Sequence, residues 1–172
     1  MIRKATAADT AVIVGIYGHI LEREAAGLCR TGWKRDIYPT EETVREGLAR
    51  SDLFVWEENG VVLASGCINQ VQVDVYARCP WVYPAPPEEV MVLHTLAVEP
   101  SQNGRGVGAG FVAFYENYAR EKGCSVLRID TNETNAAARR LYARLGYRES
   151  GIVFCRFSGI DGIQLVCLEK KL

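Results

Sequence analysis

Apolar and polar residues change their period several times along this chain, and each change marks an element. Met1 to Ala5 reads as a short strand, and the apolar stretch Ala11 to Leu21 belongs to an amphipathic helix. Thr6-Ala7-Ala8-Asp9 caps that helix, which reaches about Ala26 and stops at Gly27. Thr40 caps a second helix reaching about Arg50. Leu53 to Glu57 and Val61 to about Tyr76 are strand-like, joined at Asn59-Gly60, the preferred chemistry of a tight hairpin turn. Pro80, Pro84, Pro86 and Pro87 then discourage regular structure and predict a long loop from Ala77 to Pro87.

The second half begins with the apolar run Val90 to Val98, a strand. It leads through Glu99-Pro100-Ser101-Gln102-Asn103-Gly104-Arg105-Gly106-Val107-Gly108-Ala109-Gly110 into a helix that reaches about Glu121 and stops at Gly123. Ser125 to Thr131 returns as a strand, and Asn135 to Leu145 is helical up to Gly146. Tyr147 to Phe157 and Ile163 to Leu168 form a final antiparallel pair about the turn Ser158-Gly159-Ile160-Asp161-Gly162. The predicted order is βααβββαβαββ, an α/β chain. No repeat, low-complexity tract or linker divides it, so residues 1–172 are expected to form one domain.

A chain of 172 residues buries enough surface to hold a core without staples. A net charge of −1 gives no reason to expect nucleic acid or an anionic membrane as partner, and favours small molecules. Cys29, Cys67, Cys79, Cys124, Cys155 and Cys167 form no C-x-x-C pair and no zinc spacing, so free thiols, no metal and a cytoplasmic setting are expected. Arg3 and Lys4 before an apolar stretch imitate a secretory signal. Asp9 interrupts that pattern, Glu22-Arg23-Glu24 follow it, and the stretch is too short to span a bilayer.

The glycine-rich loop between strand and helix carries the chemistry. Glycines let backbone N–H groups approach a ligand closely, and a helix N-terminus favours negative charge, so the loop is a phosphate cradle. Leu96-Ala97-Val98-Glu99-Pro100 followed by Asn103-Gly104-Arg105-Gly106-Val107-Gly108 resembles the acyl-CoA segment Q/R-x-x-G-x-G/A of the GNAT superfamily of N-acetyltransferases, with Asn103 in place of the usual Gln or Arg. Asn135-Ala136-Ala137-Ala138-Arg139-Arg140-Leu141-Tyr142-Ala143-Arg144-Leu145-Gly146-Tyr147 is similar to the family's N-x-x-A-x-x-L-Y-x-x-x-G-F/Y segment. The resemblance implies a mixed, mainly antiparallel sheet flanked by helices. It also implies acetyl transfer from acetyl-CoA, as cosubstrate, to a primary amine by direct attack through a tetrahedral intermediate.

On that resemblance, backbone groups of Asn103, Gly104, Arg105, Gly106, Val107 and Gly108 receive the pyrophosphate, and those of Leu96, Ala97 and Val98 pair with the pantetheine arm. Arg105 is either a 3′-phosphate contact or a solvated loop charge, and Asn135 either touches the cofactor arm or caps its helix. Tyr142 stabilises or protonates the departing sulfur. A lysine-like amine costs about 4.6 kcal/mol to deprotonate at pH 7 and an α-amine about 1.4 kcal/mol, so the acceptor decides how much a base matters. His94 shares strand parity with Val92 and Leu96 and is either that base or a structural histidine. Glu88 and Glu89 precede the same strand and are either ammonium ligands or solvated charges. Trp33, Tyr38, Tyr76, Trp81 and Tyr83 are candidates for an acceptor wall; Trp33 and Tyr76 join Glu88 and Glu89 in the substrate set.

Two other classes fit parts of the pattern. Gly104-Arg105-Gly106-Val107-Gly108-Ala109 also matches G-x-G-x-x-A, with Asp130 ending the next strand, as in dinucleotide-binding enzymes. However, Glu99 to Asn103 separate the strand from the first glycine, where a dinucleotide fingerprint turns at once. A noncatalytic acyl-CoA sensor would keep the cradle without turnover. A homodimer is a base-rate expectation only.

Overall fold

The computed structural model describes residues 1–172. Its strands are β1 (Ile2–Lys4), β2 (Leu53–Glu58), β3 (Val61–Asn69), β4 (Val90–Val98), β5 (Val126–Asn132), β6 (Arg148–Phe157) and β7 (Ile160–Lys171). Its helices are α1 (Thr10–Ala25), α2 (Glu41–Arg50), α3 (Val107–Glu121) and α4 (Ala136–Arg144). The seven strands form one sheet in the order β1-β2-β3-β4-β5-β7-β6. Every neighbouring pair is antiparallel except β4 with β5. The predicted order and sheet type are both observed, and Asn59 and Gly60 turn the β2–β3 hairpin with positive φ at each residue.

Two boundaries differ from expectation. Strand β3 ends at Asn69 rather than near Tyr76, because the Asn69 side chain accepts the Val71 N–H at 2.9 Å and bends the chain away from β4. Alternating Val71, Val73 and Val75 imitate a strand there, but Asp74–Arg78 form a short 3₁₀ turn. At the other end, the β6–β7 turn shrinks to Ser158-Gly159, both at positive φ, and Ile160 pairs with Phe157. Strand β7 consequently runs on to Lys171.

The sheet is covered on both faces. Phe111, Val112 and Tyr115 of α3, with Tyr142 of α4, pack on Met91, Leu93, Leu127 and Ile129. The opposite face carries Ile13, Ile16 and Tyr17 of α1 with Val44 of α2 over Val55 and Ala97. Beyond them, Tyr76 and Cys79 of the segment 70–89 close over Val90, Val92, Val126 and Cys167. That segment is a flap with a built anchor: fully buried Glu169 accepts the N–H of Val82 at 2.7 Å and of Tyr83 at 3.1 Å. Arg128 stacks over the Trp81 ring at 4.2 Å on the same side. Glu169→Gln keeps one acceptor and turns an amide donor toward the other N–H. Its expected cost is about 1–2 kcal/mol; urea unfolding and faster amide exchange at Val82 and Tyr83 check it.

Strands β4 and β5 pair only from Val90 with Val126 to Leu93 with Ile129, and beyond that point they part. At the same place β4 carries a bulge: His94 pairs with Cys67 and Ala97 with Ser65, so β4 holds one residue more than β3 between those pairs. Thr95, at φ 51°, supplies the turn in direction. The bulge reverses the parity expected of β4. Leu96 and Val98 pack with the α3 side and Ala97 with the α1 side, so His94 and Leu96 face opposite ways.

Candidate active site

Helix α3 begins at Gly106, at φ 79°, without a side-chain cap. The first intrahelical bond is donated by Gly110 to the Gly106 carbonyl at 2.9 Å. Geometry therefore leaves the N–H groups of Val107, Gly108 and Ala109 without acceptors in the protein. The left-handed conformation at Gly106 aims them together, and no atom lies within 4 Å of a Cβ built there. Backbone dipoles and open space make this end of α3 favourable to an anion.

From the cradle, β4 leads into the gap between the parted strands. The Glu99 N–H bonds the Leu63 carbonyl at 2.8 Å, so alternation turns the N–H and C=O of Val98 and Leu96 toward the gap. A cavity of about 290 Å³ fills it, lined by Leu96, Val98, Asn103, Asn135, Ala138, Leu141 and Tyr142 on the α3–α4 side. The segment after α1 roofs it, held by Glu24 accepting the Thr31 N–H at 2.6 Å. Gly32, at φ 78°, passes so close to Asn132 that a Cβ would stand 2.3 Å from its Nδ2.

Tyr142 is buried, its ring packed edge-on to Tyr147 at 5.9 Å. Its hydroxyl forms no hydrogen bond within the protein and borders the cavity, and burial raises its pKa, with the Asp130 charge adding to the effect. It stays protonated at any ordinary pH. Across the gap, the last residues of β5 place Asp130 on the same cavity, where it accepts the Tyr76 O–H at 2.7 Å. Burial pushes the Asp130 carboxyl up to about 6 against the lowering effect of that bond.

Other residues singled out from the sequence are distributed unevenly around this centre. Trp33 and Tyr38 line the cavity, edge-on to each other at 6.2 Å, and Tyr38 hydrogen-bonds Thr95 at the bulge. His94 lies instead on a second cavity of about 530 Å³, which meets the first along Tyr38, Thr95, Phe157 and Ser158. Its Nε2–H donates to Asn69 Oδ1 and the Val71 carbonyl, each at 3.1 Å, and burial pulls its pKa down to about 4. A histidine so placed is neutral, tied down and turned from Tyr142.

Tyr76 is not a wall residue, because the flap buries it behind Asp130. Glu88 and Glu89 are not brought to the site at all. They form a 3₁₀ turn at the start of β4, whereas the gap opens at its end, and Glu89 accepts the Ser125 hydroxyl at 2.7 Å. Arg105 is exposed and paired with Glu58 at 2.9 Å. Asn135 caps α4 by accepting the Ala138 N–H at 3.2 Å, and it also lines the cavity. Ala97 and Val107 have side chains in the core, which leaves only their backbones for a ligand.

The sequence marks Asp130 only as the acidic strand end of the dinucleotide-binding look-alike, not as part of an acetyltransferase site. The signal that could have singled it out is a carboxylate directly after the apolar run of β5, at the carboxyl end where parallel strands place their sites. Thr95 had no signal, because its conformation is set by pairing with β3.

A helix start open to anions, a parallel strand pair that splits beside it and a buried phenol at the far end have the layout an acyl-CoA-dependent transferase requires. Residues 21–147 match the acetyltransferase (GNAT) family, and the chain belongs to it. A GNAT-family acetyltransferase from Streptococcus agalactiae superposes with a TM-score of 0.81 at 20% identity, over 100% of this chain and 95% of that one. The yncA protein of Salmonella typhimurium, solved with its cofactor acetyl-CoA, superposes with a TM-score of 0.69 at 22% identity over 100% and 93%. In sequence, an uncharacterized N-acetyltransferase of Methanocaldococcus jannaschii is 29% identical over 79 residues, 46% of this chain and 35% of that protein. The match thus spans about a third of that relative's length. No helix here is long and apolar enough to cross a membrane.

Proposed function

We propose that this protein transfers an acetyl group from acetyl-CoA to a primary amine by direct attack, without a covalent enzyme intermediate. The observation that carries the reading is the continuity of the site. Unpaired N–H groups at Val107, Gly108 and Ala109 lead along the outward-turned backbone of Val98 and Leu96 to a Tyr142 hydroxyl with no partner in the protein. Pyrophosphate, pantetheine and thioester sulfur fit that order of groups. Tyr142, held protonated by its surroundings, donates a hydrogen bond to the sulfur as negative charge develops there on C–S cleavage. The six cysteines are all unpaired, and neither Cys29, which lines the cavity, nor the buried others have a histidine bonded to them, so direct attack is preferred to an acyl-cysteine.

Calorimetry with acetyl-CoA and with nicotinamide dinucleotides tests the donor. Acetyl-CoA should bind, and Gly106→Val should weaken it at least tenfold, because a β-branched residue at φ 79° distorts the N–H cradle. Dinucleotide binding without acetyl-CoA binding overturns the reading. Thiol release stimulated by a panel of primary amines then separates an enzyme from a sensor.

A further inference from the structure

We propose that the acceptor is a primary ammonium on an apolar or aromatic arm without a second positive charge, and that Asp130 receives this ammonium and takes its proton before attack. The inference rests on the acetyltransferase reading and deepens it by naming the base and the class of acceptor.

The geometry is that of a carboxylate waiting for a cation. Asp130 Oδ2 is held by the Tyr76 O–H at 2.7 Å, while Oδ1 has no hydrogen-bond partner in the protein, and the residue borders the cavity. The titratable groups around it are Tyr76 of the flap, Tyr38 before α2, Tyr142 of α4, Cys155 of β6 and Cys167 of β7. All of these are neutral at pH 7. Arg23 of α1 reaches the same cavity but forms no ion pair with Asp130. A carboxylate withdrawn from water without a counter-charge is costly, and an incoming ammonium supplies the charge the protein omits.

The rest of the wall sets the arm. Opposite the pantetheine side the cavity is lined by Ile20, Trp33, Phe157, Ile160, Ile163 and Leu165. These six side chains hold methylenes or a ring, and the one other charged residue on the lining, Arg23, repels a second cation. Asp130 lies on the flap face of the sheet and Tyr142 on the α3–α4 face, so acceptor and donor meet across the split between β4 and β5.

The protons balance. The ammonium gives one proton to the Asp130 carboxylate, and the freed nitrogen lone pair forms the C–N bond while the carbonyl π pair moves to oxygen. As that pair returns, the C–S bond breaks with its electrons on sulfur. The second proton leaves nitrogen and neutralises the thiolate through Tyr142, which donates its own proton and takes that one. Asp130 releases its proton to solvent. Burial that lifts the Asp130 carboxyl to about 6 lets it be ionised at neutral pH and still a useful base.

The test uses full-length protein saturated with CoA and labelled with ¹³C at aspartate carboxyls, the Asp130 signal being assigned by its loss in Asp130→Asn. Adding 2-phenylethylammonium should lower the apparent Asp130 pKa by at least one unit, whereas 2-phenylethanol should leave it in place. Tyr76→Phe should raise that pKa and move the acidic limb of kcat/KM to higher pH by the same amount, which a purely structural tyrosine would not do. Asp130→Asn should keep acetyl-CoA affinity and lose at least a hundredfold in thiol release with 2-phenylethylamine. An Asp130 signal indifferent to the ammonium, or wild-type turnover by Asp130→Asn, overturns the proposal. Failure of the wild-type protein to bind acetyl-CoA overturns the underlying acetyltransferase reading instead.

Discussion

Tyr142→Phe is expected to lower kcat for amine acetylation about a hundredfold while leaving the acetyl-CoA Kd within roughly a factor of two. The substitution removes one oxygen and nothing else. The ring keeps its edge-on contact with Tyr147, and because the hydroxyl bonds no protein group, no buried donor or acceptor is stranded. What disappears is a hydrogen bond made only as charge develops on sulfur, so kcat and kcat/KM should fall together. Burial keeps the phenol protonated, so the wild-type rate should show no basic limb from Tyr142 up to about pH 9. Single-turnover thiol release, read beside calorimetric acetyl-CoA binding, is the measurement. An unchanged single-turnover rate would remove Tyr142 from the chemistry.

The parts of this molecule that the sequence displays are those decided within a few residues. Asn59-Gly60 dictates its hairpin, Thr40 and Asn135 sit where helices start, and the glycine-rich loop meets α3 where the phosphate reading needs it. What stayed hidden depends on partners far along the chain. The parity of β4 flips at Thr95 because β4 carries one residue more than β3 between two paired positions, and period counting has no access to that. Glu88 and Glu89 were grouped with the site through nearness in sequence, yet the six residues from Glu89 to Thr95 span about 20 Å of strand. The Tyr76–Asp130 bond joins residues 54 apart and belongs to a flap held down by Glu169 and Arg128. Aromatic composition singles out Tyr76 for an acceptor wall, yet the fold buries it behind Asp130 and off the cavity lining. Its part, orienting Asp130 from behind, comes from the tertiary fold.

Asp130→Asn should make the protein more stable at pH 7.5 while it disables transfer. The carboxyl is raised from 3.8 to about 6 in the folded state. Between those values the folded protein binds more protons than the unfolded chain, so stability is fully present below about pH 4 and falls as pH rises toward 6. Raising a carboxyl that far corresponds to about 3 kcal/mol, which cavity water around a partly accessible carboxylate trims to about 2 kcal/mol. Asparagine cannot ionise, and its Oδ1 still accepts the Tyr76 O–H. Urea unfolding should therefore give equal stabilities for the two proteins near pH 4 and a gain of about 2 kcal/mol for the variant at pH 7.5. If Asp130 were a structural anion satisfied by the fold, the same substitution would destabilise the protein at pH 7.5, because a settled carboxylate has its pKa lowered. The sign of the change thus reports what the residue is for: a charge kept at a cost in stability is one whose partner arrives with the substrate.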